Sequence, residues 1–416
     1  MTRLYFNLLY IDPGTGSMLF SILIGAAATL YFLARALIIK AKVAFSGGRA
    51  AVNAGVSYPY IIYSEGKQYW NVFKPVLDEF EKREETLLYL TSQGDDPVFT
   101  GEYHFIKSEF IGDGNKAFAR LNFLSAEVVL MTTPGLDVYQ LKRAKTVKHY
   151  VHVLHAPSDA TMYRMFGIDY FDSILLTGDY QARDIRILEQ LRNLPEKQLI
   201  TVGCTYLDVY AEKIKQLPGE VEHPFTVLVS PSWGASGLLA RYGTKLLDPL
   251  VNTGWRIIIR PHPQSKKSEA QMLESLTEKY KNTANVLWDY ERENIYSLAK
   301  ADIMISDFSG IIFDYIFLFD KPVMYVKQGI DLRPYDADDL GDNAGEELWQ
   351  FKTLREIGIE LKEEDFGAIG TIITRASDSA ELKEALHKAK ETAWQYQGEA
   401  GKRIVDFMIS LTEKNA

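Results

Sequence analysis

Short apolar runs, each set off from the next by a stretch with helical periodicity, constrain this chain more than any other feature. In the first half they fall at 60–63, 86–91, 128–132, 150–154, 174–177 and 199–202. Such runs lack the alternation of a half-solvated strand, so both faces are buried. Strands that alternate with helices are joined by crossovers, and the pattern therefore predicts a parallel sheet covered on both sides. A second set follows Pro224, at 226–229, 256–259, 285–288, 302–305 and 322–326, with helical patterns at 237–250 and 269–281 between them. At 416 residues the chain is too long for one hydrophobic core. The expectation is an α/β protein of two Rossmann-like, doubly wound domains over 58–222 and 223–378. The charged, helix-favouring stretch 379–416 is expected to pack on the outside.

Ahead of the first domain, residues 18–34 carry no charge, and the apolar character runs on to Ile39 if Arg35 reaches back toward the headgroups. This length is sufficient for one membrane-spanning helix, and residues 1–45 are read as an N-terminal anchor. Arg35, Lys40, Lys42 and Arg49 follow the span, whereas Arg3 alone precedes it. The excess of cations on one side predicts a single-pass protein of the cytoplasmic (inner) membrane, the lipid bilayer one of its partners and its large domains on the cytoplasmic face. Residues 46–57, rich in Gly, Ala, Ser and Asn, suit a flexible linker. A formal net charge of −9 argues against a nucleic-acid partner. The single cysteine, Cys204, excludes an intrachain disulfide and reads as a small buried residue.

Two strand ends carry the chemistry. The run 302–305 leads into Ser306-Asp307-Phe308-Ser309-Gly310 and then into helix-compatible residues through Asp314. Small residues opening a helix present backbone N–H groups and the positive end of a helix dipole to an anion. The run 256–259 ends in Arg260-Pro261-His262-Pro263, a cationic turn stiffened by proline. Ligands of open parallel sheets bind beyond the carboxyl ends of the strands, where both motifs fall. His152 and His155 are three apart, and on a strand this spacing puts their side chains on opposite faces. The Asp336-Ala337-Asp338-Asp339 run reads as a solvated loop.

These motifs resemble those of the CDP-glycerol glycerophosphotransferases of teichoic-acid synthesis, over roughly residues 145–335. His152-Val153-Leu154-His155-Ala156-Pro157 stands in place of the family's first histidine motif, although the family has His-Gly-Thr-Pro and a lysine where this chain has His-Ala-Pro-Ser-Asp. Arg260-Pro261-His262-Pro263 matches the second histidine motif, and 306–314 matches the nucleotide-phosphate motif. Weaker echoes are Ser230-Pro231-Ser232-Trp233 and Gly203 to Asp208, the latter without the family's arginine. The resemblance implies a glycosyltransferase B architecture and a donor substrate, CDP-glycerol or another CDP-activated polyol, with a membrane-associated glycan or polymer as acceptor. It implies His155 as the base and His262 as its partner across the cleft. Arg260, Ser306, Asp307, Ser309, Gly310, Asp314 and Ser232 are the implied donor-phosphate and nucleotide contacts. No cofactor and no metal are expected, because a cationic cleft would take the place of a divalent ion. A nucleotide-sugar glycosyltransferase, a 2-epimerase-like enzyme and a non-catalytic nucleotide-binding scaffold remain open alternatives, since one architecture hosts all of them.

Overall fold

A computed structural model describes residues 58–217, 223–291, 293–307, 309–327, 329–341 and 348–413. The expected anchor (1–45) and linker (46–57) lie outside the described residues. Within these residues no helix is long and apolar enough to cross a membrane.

The apolar runs form strands because their side chains are covered on both faces, as in β2 (Leu87–Thr91) and β8 (Thr226–Val229), where every residue is buried. The first sheet contains β1 (Tyr58–Ser64), β2, β3 (Ile106–Phe110), β4 (Ser125–Met131), β5 (Thr146–Val153), β6 (Ser173–Leu176) and β7 (Gln198–Thr201). Its order is β3-β2-β1-β4-β5-β6-β7, and every pair is parallel. The second contains β8, β9 (Arg256–Ile259), β10 (Val286–Trp288), β11 (Ile303–Ser306), β12 (Val323–Tyr325) and β13 (Gly358–Glu360). Its order, β10-β9-β8-β11-β12-β13, is that of a dinucleotide-binding domain and is again all parallel. Two strands have no counterpart in the hydrophobic pattern. β3 is a polar edge with only Ile106 buried, and β13 has three residues, none of them buried.

The C-terminal stretch departs from the expected outer appendage. The helix Ala380–Ala393 packs on the second domain through Leu386, Ala389 and Ala393. The chain then returns to the first domain, where Ile404, Val405, Met408 and Leu411 of the helix Ala400–Glu413 enter its core beside Phe73 and Leu77. Gly401 permits this packing, since a Cβ there would lie 2.6 Å from the Pro75 carbonyl oxygen. The sequence shows helical amphipathicity but not which core receives the apolar face. Asp208 ties the two crossings together. It accepts hydrogen bonds from Trp394 Nε1 (2.8 Å) and the backbone N–H groups of Gly398 (2.8 Å) and Ala400 (3.2 Å). Gly203, at φ 97°, lets the strands of chain approach, because any side chain would meet the Gln395 carbonyl at 2.5 Å.

The acidic run at 336–339 is also not a solvated loop. Asp336 is fully buried and accepts hydrogen bonds from the N–H groups of Phe166 (2.6 Å) and Gly167 (3.2 Å). Arg192, one residue past the helix Ala182–Leu191, pairs with Asp336 (2.8 Å), Asp339 (2.7 Å) and Asp169 (2.7 Å). Close by, Asp159 of the first domain caps the second-domain helix Trp349–Ile357, accepting from the N–H groups of Trp349 (3.0 Å) and Gln350 (2.8 Å). Two reciprocal carboxylate clasps thus fix the domains against each other.

Candidate active site

β8 and β11 are neighbours at the point where the order of the second sheet reverses, and the loops after them build a floor for a ligand. Ser306 is buried and its Oγ donates to the Ser230 carbonyl (2.5 Å). Asp307, also buried, accepts from the N–H groups of Ser232 and Leu238, both at 2.8 Å. Ser306, Asp307 and the Ser232 backbone therefore shape the loops rather than offer free groups to a donor. Ser309 and Gly310 reach the cleft, where Asp307 also contributes to the wall. They precede the helix Ile311–Phe319, with Gly310 as its N-cap, and line a cavity of about 200 Å³ with Ser158, Phe313 and Gln350. Backbone N–H groups in the first turn of a helix have no intrahelical acceptor, and the helix dipole favours an anion there.

The two cationic expectations are corrected. Arg260 is buried and its guanidinium is directed to the Asp289 carboxylate (2.5 Å) and the Glu291 carbonyl (2.8 Å). Among the described residues that line this cavity there is no lysine or arginine. His262 stands after β9 with its ring 6.4 Å from that of the half-exposed Trp233. Burial lowers its pKa against the opposing pull of Glu269 and Asp307. Its Nδ1 accepts the Gln264 N–H at 3.1 Å. A nitrogen that accepts an N–H carries no proton, so the ring proton sits on Nε2, which makes His262 a hydrogen-bond donor and neither a fixed cation nor a base.

A second cavity, of about 300 Å³, adjoins the first and shares Ser158, Gly310 and Phe313 with it. His155 and Tyr69 of the first domain face Asp314 and Tyr206 across it. His155 Nδ1 lies 2.9 Å from Thr132 Oγ1 and 3.2 Å from the Tyr163 hydroxyl, and its ring meets Tyr69 edge-on at 5.3 Å. A hydroxyl oxygen, unlike a backbone N–H, can accept a proton bond from Nδ1, leaving Nε2 as the basic nitrogen. Burial pushes the His155 pKa down to about 4. His152 has no such opening. It is fully buried against Tyr163 (5.1 Å) and Phe171 (4.8 Å), with its pKa pushed down to about 3, and serves as a neutral core residue. Asp314 accepts from the Tyr206 hydroxyl at 3.1 Å, and burial raises its carboxyl to about 7. It opens on the His155 cavity and not on the one lined by Ser309. Cys204 is buried, its thiol pushed up to about 12.

Sequence reasoning did not find Tyr206, Gln350 or the capping role of Asp159. Asp159 belongs to the segment where the first histidine motif departs from the family, and that departure was its signal. Tyr206 stands where the family's arginine is missing. Gln350 gave none, because it lies on an ordinary amphipathic helix.

Two dinucleotide-type domains, joined by two crossings and meeting over a helix N-terminus and a histidine, define a glycosyltransferase B architecture. The family model described as CDP-glycerol:poly(glycerophosphate) glycerophosphotransferase matches residues 183–408, more than half of the chain. The chain belongs to that family and is a CDP-glycerol glycerophosphotransferase-like enzyme. Among solved structures it is similar to the wall teichoic acid polymerase TagF, at 14% identity and a TM-score of 0.59, covering 93% of this chain and 98% of that one. It is also similar to the UDP-GlcNAc 2-epimerases of Neisseria meningitidis (13%, TM-score 0.54) and Methanocaldococcus jannaschii (13%, TM-score 0.51), each covering 85% of this chain and 100% of the other. At such identities these likenesses establish the fold. No curated protein matches the sequence.

Proposed function

We propose that this enzyme moves glycerophosphate, or a related polyol phosphate, from a CDP-activated donor to a hydroxyl of a cell-envelope glycan or polymer. One observation carries the reading: the cavity containing His155 and the cavity at the Ser309-Gly310 helix start share a wall at Gly310 and Phe313. A base and a phosphate cradle thus adjoin, as an in-line phosphoryl transfer requires.

In the proposed step the acceptor oxygen attacks the phosphorus that carries glycerol while His155 Nε2 takes its proton. The bond from that phosphorus to the bridging oxygen breaks, and CMP departs with both electrons. Charge on the leaving phosphate is met by the N–H groups at Ser309-Gly310, the helix dipole and the Nε2–H of His262. An anionic donor also raises the low pKa of His155, since a nearby negative charge favours the imidazolium form, and this makes the histidine a better base once substrate is bound. Neither a cofactor nor a metal is invoked.

Purified protein supplied with CDP-glycerol and a glycerophosphate-terminated acceptor should release CMP. His262→Ala should lower kcat by about 10²-fold, the usual loss of one preorganised donor. An unaltered rate, or no CMP release by the wild type, would refute the assignment.

The uncharged stretch at 18–34 and the cations after it support a membrane anchor with the catalytic domains on the cytoplasmic side. Full-length protein should sediment with membranes and resist high salt, and deletion of residues 1–45 should release it. Recovery of the full chain in the soluble fraction would remove the anchor from the proposal.

A further inference from the structure

The two adjoining cavities differ in chemistry. The one at Ser309 has the helix N-terminus and its dipole. Its neighbour has neither lysine nor arginine among its described lining residues, so no fixed cation there can pair with a phosphate, and its histidine, His155, is shifted toward the neutral form by burial in the free enzyme. Its polar groups are Gln68, Tyr69, His155, Ser158, Tyr206 and Asp314, all suited to hydroxyl partners. Gly310 and Asp314 are four residues apart and Phe313 lies between them, so one face of the helix Ile311–Phe319 serves both cavities.

We propose that the Tyr206 hydroxyl and the Asp314 carboxyl, hydrogen-bonded at 3.1 Å, recognise the acceptor, and that they select an uncharged polyol terminus whose free hydroxyl faces His155. This rests on the transferase reading for the identity of the substrate, but not for the shape or polarity of the chamber. A carboxyl raised to about 7, as Asp314 is, keeps its proton in part at neutral pH and in that form can both donate to and accept from a hydroxyl. A phosphate end group, in contrast, would meet no lysine or arginine here and would exchange water for a chamber without a fixed cation. The volume, about 300 Å³, accommodates a short polyol, with any phosphodiester chain extending outward. The acceptor therefore enters hydroxyl first.

The test is calorimetric and needs no turnover. Short poly(glycerol phosphate) with a free terminal glycerol is titrated into full-length wild type, as is the same oligomer capped by a terminal phosphate, with CMP titrated in parallel. The hydroxyl-ended oligomer should bind about 10-fold more tightly, equivalent to one good hydrogen bond. Tyr206→Phe keeps the ring against Tyr210, at 4.7 Å, and should erase most of this preference while changing CMP affinity less than twofold. Asp314→Leu should act in the same direction. Equal binding of the two oligomers, preference for the phosphate end, or a Tyr206→Phe effect on CMP instead of the oligomer would each overturn the proposal. Absence of CMP release from CDP-glycerol bears on the transferase reading alone.

Discussion

His155→Ala should lower kcat for CMP release by about 10²- to 10⁴-fold, the range a general base supplies, while leaving CMP affinity intact. The expectation follows from position: the imidazole faces the second domain across a cavity but does not line the one at Ser309. The pH profile tests the role more sharply than the rate. In the free enzyme the pKa of His155 is depressed to about 4, so the base is available above that value and the acid limb of kcat/KM should fall well below the ordinary histidine range. In the substrate complex the anionic donor opposes this depression. The acid limb of kcat should thus lie at higher pH than that of kcat/KM, and His155→Ala should abolish both. Two coincident limbs near 6.5 would mean that the histidine is solvated and uncoupled from the donor.

Arg192→Ala should cost about 3–5 kcal/mol of stability, the usual result of removing one partner from a buried ion pair. Urea unfolding is the measurement. The arginine side chain is 9% exposed and Asp336 is 0% exposed, so the variant strands a carboxylate that cannot reach water. The dependence on pH has a definite sign. Burial already raises the Asp336 pKa to about 6, and loss of the cation raises it further. A group whose folded pKa lies above its unfolded value favours the folded state at low pH and penalises it as pH rises through the folded pKa. The deficit of the variant should therefore be smaller at pH 5 than at pH 8. A penalty under 1 kcal/mol at pH 8 would show that water reaches the clasp.

The same interactions show why some features were legible in the sequence and others were not. Burial on both faces leaves a mark on every residue of a strand, so β8, β9 and β11 could be read from their runs of Val, Ile and Met. β3 and β13 left no mark, being polar or very short. The turns at 260–263 and 306–310 were legible because proline, glycine and serine restrict the backbone locally. The partners of a charge are not local. Arg260 reads as an open cation until Asp289 is brought beside it from 29 residues away. His262 reads as a cation until the Gln264 N–H, donating to its Nδ1, fixes it as the Nε2–H tautomer. Asp336 reads as solvated until Arg192 and the backbone of Phe166 close over it.

By itself the sequence determined two parallel sheets and a helix start suited to phosphate, since these depend on periodicity and on the conformational limits of neighbouring residues, and its motifs carried the resemblance to a family. Only the tertiary structure decided which charges are spent on internal partners, which domain takes the last helix, and that Asp314 faces His155 in a chamber apart from Ser309. Those outcomes depend on distance through space and on exclusion of water, neither of which is encoded in local spacing.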